Sequence, residues 1–204
     1  MRYGDTHKQD THDKLIRLAG RALREKGPEQ LGVADLMQSA GLTHGGFYAH
    51  FKSKDALLAE ALENAFVHSG QRVRQLTDGM PARQALASYI DWYVSAVHRD
   101  DPGNGCPIVA LNSHLPRQSR RFRAAFGAGV KSLLAILAAW IAQAGIPDGE
   151  ALAASLLPAM AGAVAIARAV PDPVLSDALL DSARNSIRSR LGLQDTHNSG
   201  GTPR

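Results

Sequence analysis

The chain has 204 residues, 45% of them apolar and 21% charged, which fits a globular protein with a sizeable core and not a disordered or fibrous one. Its one cysteine, Cys106, excludes an intramolecular disulfide framework and fits a reducing compartment. The formal charge of +4 is unevenly placed: residues 1–54 carry nine Lys/Arg against six Asp/Glu, and residues 55–204 carry fourteen against thirteen.

A basic end on a nearly neutral body suits a polyanionic partner at that end. Residues 1–8 and 193–204 are polar and read as flexible tails. The polar start shows no signal-peptide apolar segment. The first helix is expected over about Thr11–Lys26, with Leu15, Ala19, Ala22 and Leu23 on one stripe and Gly27-Pro28 ending it. A short helix over about Val33–Ala40 ends at Gly41. Another spans about Thr43–Phe51 with Thr43 as N-cap, and a fourth starts near Ser53. After Met80-Pro81 comes a helix bearing Leu86, Tyr89, Ile90, Tyr93, Val94 and Val97. A turn-rich loop over 100–107 and a short helix to about His114 follow. A long helix spans about Arg117–Ala144, and two more cover about Glu150–Ala169, where Pro158 should kink the helix, and Pro173–Leu191. No segment alternates with period 2, so the expected fold is all-α with about nine helices. The longest uninterrupted apolar runs, near 133–142 and 156–167, fall short of the roughly 20 residues a membrane span needs, which leads us to expect a cytoplasmic protein without a membrane partner.

Residues 33–51 read as helix, Gly-containing turn, helix, the form of a DNA-binding helix-turn-helix. Gly45-Gly46 costs its helix about 1 kcal/mol per residue against Ala, a loss better kept where a backbone must approach something closely, as in a major groove. Phe47 and Phe51, at i and i+4, anchor inward, which sends Tyr48 and His50 elsewhere, with polar tips suited to phosphate oxygens. Ser53-Lys54 opens the next helix, where free N–H groups and a cation suit another phosphate.

The run from Leu31 to Leu58, above all Gly41-Leu42-Thr43-His44-Gly45-Gly46-Phe47-Tyr48-Ala49-His50-Phe51-Lys52-Ser53-Lys54-Asp55-Ala56-Leu57-Leu58, resembles the TetR family of transcriptional regulators, without a gap. The resemblance is clear over residues 9–69. It implies a DNA-binding domain there, with its helix-turn-helix at about 32–51, and a helical effector-binding and dimerisation domain over 80–192. By the same resemblance Thr43, His44, Gly45 and Gly46 meet bases and phosphates, and Tyr48, His50 and Lys54 contact phosphate. Gly32 departs from the Thr or Ser that often caps the second helix, and Leu23 from a common aromatic. The last two helices are expected to pair with their mates in a homodimer, with Ala159, Ala161, Gly162 and Ala163 permitting close approach.

The expected function is a sequence-specific regulator, a repressor released from a palindromic double-stranded operator by a small-molecule effector or by modification of Cys106. Cys106 stands just before a short helix, where a thiol pKa can fall; its bland reading is a small buried residue. Trp92, Tyr93, His98, Asn112, His114, Phe122 and Trp140 mix apolar area with polar groups and are the candidate effector residues, or else core packing with polar tips. Arg117, Arg120, Arg121 and Arg123 read as a solvated basic face. His44 and His50 are six apart and point differently, so no metal site is expected, and no cofactor motif is present. The alternatives are a helical scaffold that does not read DNA and a Cys106–His114 enzyme, which no other catalytic motif supports.

Overall fold

The computed structural model describes residues 2–193, with side chains from residue 7 onward. Among them are nine α-helices, three short 3-10 segments and no strand. In chain order these are α1 (Arg2–Gln30), α2 (Val33–Ser39), a 3-10 segment (His44–Ala49), α3 (Lys54–Thr77), α4 (Ala82–Tyr93), α5 (Ala96–Asp100), α6 (Pro107–Leu111), α7 (Arg120–Gln143), α8 (Gly149–Ala169) and α9 (Pro173–Arg190). The other 3-10 turns are Pro102–Asn104 and Leu115–Arg117. The all-α expectation holds.

Three local expectations change. The polar start is helical from Arg2, not a flexible arm. Apolar periodicity cannot reveal such a helix, because solvated side chains hold it: Gln9 donates to Asp13 and Thr11 to the His7 carbonyl, each four residues apart. The second change is at the other end, where Leu193 is buried and accepts from Arg188, so the expected tail can begin only after it; residues 194–204 lie outside the described residues. The third is the segment after the turn, which is 3-10 and not α-helical, as detailed below. Elsewhere Gly27 (φ 80, ψ 165) breaks the helical path of α1 where Gly27-Pro28 was expected to stop it, and α8 continues through Pro158.

The chain forms two compact units, Met1–Gln75 with His98–Leu133, and Leu76–Val97 with Leu134–Arg204. The first is built on a core of Leu15, Ala19 and Leu23 from α1, Met37 from α2, and Leu57 and Leu62 from α3, closed by Leu111 and Phe122. Gly20 lets α1 approach α3: a Cβ there would lie 3.2 Å from the Ala61 carbonyl oxygen. In the second unit Asp172 caps α9 by accepting from the Val174 and Leu175 amides at 2.9 and 3.3 Å. Ser176 Oγ donates to the Ala167 carbonyl at 2.7 Å, and Arg188 pairs with Asp91 of α4. Both α7 and α8 are long and apolar enough to cross a membrane by length and composition, which counting uninterrupted runs did not bring out. Only 28% and 39% of their most apolar stretches is buried within the chain, so much apolar surface on both is left uncovered by it.

Candidate nucleic-acid interface

The turn between α2 and the 3-10 segment is set by Gly41. Its φ of +77° is a left-handed conformation open to glycine at little cost. The Leu42 amide donates to the Met37 carbonyl and the Gly41 amide to Gln38, both at 2.9 Å, which is a Schellman closure of α2. Gly32 precedes α2 in extended conformation without a side-chain cap, and Asp35 supplies negative charge in the first turn instead.

Thr43 is extended (φ −79, ψ 149) and its side chain makes no capping bond, contrary to the N-cap expected of it. Its carbonyl accepts from Gly46 at 3.0 Å, the i to i+3 pattern of a 3-10 turn. Six residues containing Gly-Gly hold too little α propensity to lengthen this turn, and the two phenylalanines fix it from below. Phe47 and Phe51 are 2% and 3% exposed with ring centroids 5.5 Å apart, as the i, i+4 spacing predicts. Tyr48, against the edge of Phe47, is 72% exposed. Thr43, His44 and Gly45 are also exposed. A Cβ at Gly45 would meet nothing within 4 Å, so nothing inside the chain requires glycine there. Ser53 Oγ accepts from the Ala56 amide at 3.1 Å and caps α3, beside half-buried Lys54.

His50 is half-buried, with a buried Nδ1 that has no hydrogen-bond partner among the described residues. Burial, then the charges of His12 and Lys8, hold its imidazole below the usual histidine pKa. His12 and Lys14 complete this head. Both were absent from the sequence reading, because on an α1 read only for its apolar stripe they look like solvent residues. The His12 ring stacks on Phe51 with centroids 4.6 Å apart and bonds Glu60 at 2.6 Å, while Lys14 Nζ donates to the Ala40 carbonyl at 3.0 Å.

The other candidate residues are dispersed. Trp92, Tyr93 and Trp140 belong to the second unit and gather around buried Tyr89, whose ring lies 6.1, 5.6 and 5.7 Å from theirs. Tyr89 appeared in the sequence only as one member of a helix stripe. His98, Asn112, His114 and Phe122 belong to the first unit and already have other settings. Phe122 is sealed in the core and Asn112 is exposed. His114 bonds Glu29 at 2.8 Å and packs where a Cβ on Gly27 would stand. Buried His98 accepts from the Cys106 amide at 2.9 Å through Nε2, so the neutral ring carries its proton on Nδ1. Cys106 is 3% exposed and precedes α6. Its loop is tied to α1 by Arg24, whose Nε donates to the Gly103 carbonyl at 2.8 Å, and Nη2 donates to the same oxygen. No group of three or more His, Cys, Asp or Glu among the described residues could hold a metal ion.

A short exposed segment with a bare glycine, clamped by two buried phenylalanines behind a tight turn, defines an all-helical helix-turn-helix regulator. Comparison with known proteins makes the class specific. Residues 15–61 match the family model "Bacterial regulatory proteins, tetR family", and residues 82–175 match "Transcriptional regulator LmrA/YxaF-like, C-terminal domain". An uncharacterized HTH-type transcriptional regulator of Mycobacterium tuberculosis (strain H37Rv) is 26% identical over 193 residues, 90% of this chain and 97% of that protein. The HTH-type transcriptional repressor NemR of Escherichia coli K12 is 24% identical over 130 residues, 63% of this chain and 65% of that protein. The crystal structure of the reduced form of E. coli NemR has a TM-score of 0.77 at 21% identity, covering 88% of this chain and 96% of that one. A regulator from Cytophaga hutchinsonii also scores 0.77 at 21% identity, covering 90% and 96%. The two family models together span more than half of the chain, and the protein belongs to the TetR family of DNA-binding transcriptional regulators.

Proposed function

We propose that the protein is a homodimeric repressor of the cytoplasm, without catalytic activity, that leaves a palindromic operator when an effector binds or Cys106 is modified. The observation that carries operator reading is the exposed Thr43–Tyr48 surface, where Gly45 borders open space and Tyr48 is 72% exposed above two buried phenylalanines. Thr43 and His44 read base edges, Gly45 and Gly46 admit the backbone to the groove, and Tyr48, His50 and Lys54 hold phosphates. Two copies would place these segments in successive major grooves about 34–36 Å apart. Repression is supported by the likeness to a protein named a repressor.

Dimerisation through α8 and α9 is supported by their outward apolar residues. Ile166, Val174 and Leu175 are 57%, 77% and 50% exposed, and a Cβ at Gly162 would meet open space. Ala161 is buried within the chain, so the approach surface is Ala159, Gly162 and Ala163 without it. The aromatic group of Trp92, Tyr93 and Trp140 around Tyr89 suits an apolar effector. Modification of Cys106 is supported by its place just before α6, in a loop that Arg24 holds to α1. That tie gives a modified Cys106 a direct route to the reading head.

Selection of bound duplexes from a random pool tests operator reading. One palindromic motif, lost after Cys106 oxidation in wild type but kept in Cys106→Ser, is the expected result. Recovery of no motif, with only weak salt-sensitive binding, would overturn the reading in favour of a helical scaffold.

A further inference from the structure

The ring of His12 joins three elements. It is carried by α1, stacks on Phe51 with centroids 4.6 Å and planes 28° apart, and bonds Glu60 of α3 at 2.6 Å. The His12 side chain is 20% exposed, so the contact is partly shielded from water. A carboxylate only accepts, so Nε2 of His12 carries a proton whatever the charge of the ring. The contact is a hydrogen bond when the ring is neutral and an ion pair when it is charged, and only Nδ1 changes between the two states.

His50 is the next ring. Its centroid lies 6.2 Å from that of His12 and 6.3 Å from that of Phe51. Its Nδ1 is buried and has no hydrogen-bond partner among the described residues, so a proton placed there meets no acceptor. Burial holds the pKa of His50 down most, the charge of His12 adds to that, and the charge of Lys8 adds less. Lys8 and His12 act from α1, where they stand one turn apart, and Glu60 on α3 answers His12. The titratable side chains of the segment itself, His44 and Tyr48, are exposed, and Lys52 and Lys54 follow it towards α3.

We propose that His12 is a positioning residue of the reading head, whose ring holds Phe51 under the exposed segment while its charge sets whether His50 meets a phosphate as a neutral ring or as a cation. The two roles use different parts of one side chain. Position depends on the face of the ring against Phe51, and charge depends on Nδ1, with the Glu60 bond kept in both states. A neutral His12 lets His50 take a proton and form a charge-assisted bond to phosphate. A charged His12 opposes that proton and leaves His50 a weaker, neutral donor. The consequence for DNA rests on operator reading as proposed above, whereas the charge of His50 in the free protein does not.

Two variants of the full-length protein separate the roles. His12→Phe keeps a ring on Phe51 and removes the charge, and His12→Gln keeps a donor for Glu60 and removes both ring and charge. The first readout needs no DNA. NMR titration of the eight histidines, with the His50 signal identified by its loss in His50→Gln, should show His50 titrating at higher pH in both variants than in wild type. It should be unmoved in His68→Phe, at an exposed position further along α3. The second readout is affinity for the selected operator at about pH 8, above the ordinary histidine range. His12→Phe should stay within about twofold of wild type, and His12→Gln, without the stack, should lose about tenfold. An unmoved His50 signal in both variants would overturn the inference and make His12 merely structural, and equal losses of affinity in the two would overturn the positioning role. If no operator is selected while the His50 signal moves as expected, operator reading fails and the coupling of the two histidines stands.

Discussion

The reading head and the α8–α9 pair resolve the same difficulty in opposite ways. Each is a helical surface that the chain leaves uncovered. In the head the inward side is aromatic, with Phe47 and Phe51 buried, and the outward side is bare backbone and polar tips. In α8–α9 the inward side is Leu156, Met160, Val164 and Leu180, and the outward side keeps Ile166, Val174 and Leu175. One face suits a polyanion and the other suits more apolar surface. A face for DNA must be shaped by the few residues that enter a groove, whereas a face for a like partner needs only small and apolar residues in many arrangements.

The largest effect that sharpens this contrast is Phe47→Ala. It should cost about 3–5 kcal/mol in urea unfolding and abolish operator binding, because Phe47 is one of the two buried anchors of the exposed segment and lies directly beneath Tyr48. An unfolding midpoint near that of wild type would show that the head does not rest on its aromatic floor. Next comes Ile166→Arg/Val174→Arg, which should halve the mass seen by light scattering and remove palindrome-dependent affinity while leaving helicity intact. A mass that stays dimeric places the interface elsewhere.

Lys54→Ala should weaken all duplexes alike and reduce the salt slope by about 1, while Thr43 or His44 changes should alter sequence preference. Gly45→Ala separates folding from function most cleanly. With open space at Cβ it should stabilise the protein by about 0.5–1 kcal/mol, yet lose operator affinity. Retained affinity would mean that the backbone does not approach the groove there.

The smallest effect is on pH. Because the folded-state pKa of His50 lies below the ordinary value of about 6.5, protonation favours the unfolded chain, and stability should fall as pH drops through that value. A phosphate beside His50 acts in the other direction, so operator affinity should rise over the same interval with uptake of a proton. His50→Gln should flatten both curves, and parallel curves for variant and wild type would remove His50 from the contact.

The head was legible in the sequence because its geometry compresses into nearly consecutive residues: Gly41 for the turn, Phe47 and Phe51 for anchoring. Its helix type was not legible, since the i, i+4 pair fits an α-helix as well as this 3-10 turn, which only the carbonyl geometry separates. His12 and Lys14 escaped notice because their work is done against Phe51 and Ala40, distant in sequence. The candidate effector residues fall in two different units for a reason of the same kind. His98 and His114 have polar tips that looked suited to a ligand but are committed to the Cys106 amide and to Glu29. Nothing local in the chain signals which polar atoms are already spoken for.

The tie from Arg24 to the Gly103 carbonyl has a consequence for genetics. A screen for variants that no longer respond to inducer should yield changes at Arg24 and at Gly103, where a Cβ would clash with Glu25 Oε1. On the proposed release mechanism such alleles fold and bind the operator but do not leave it, although neither position belongs to the reading head or to the candidate effector residues.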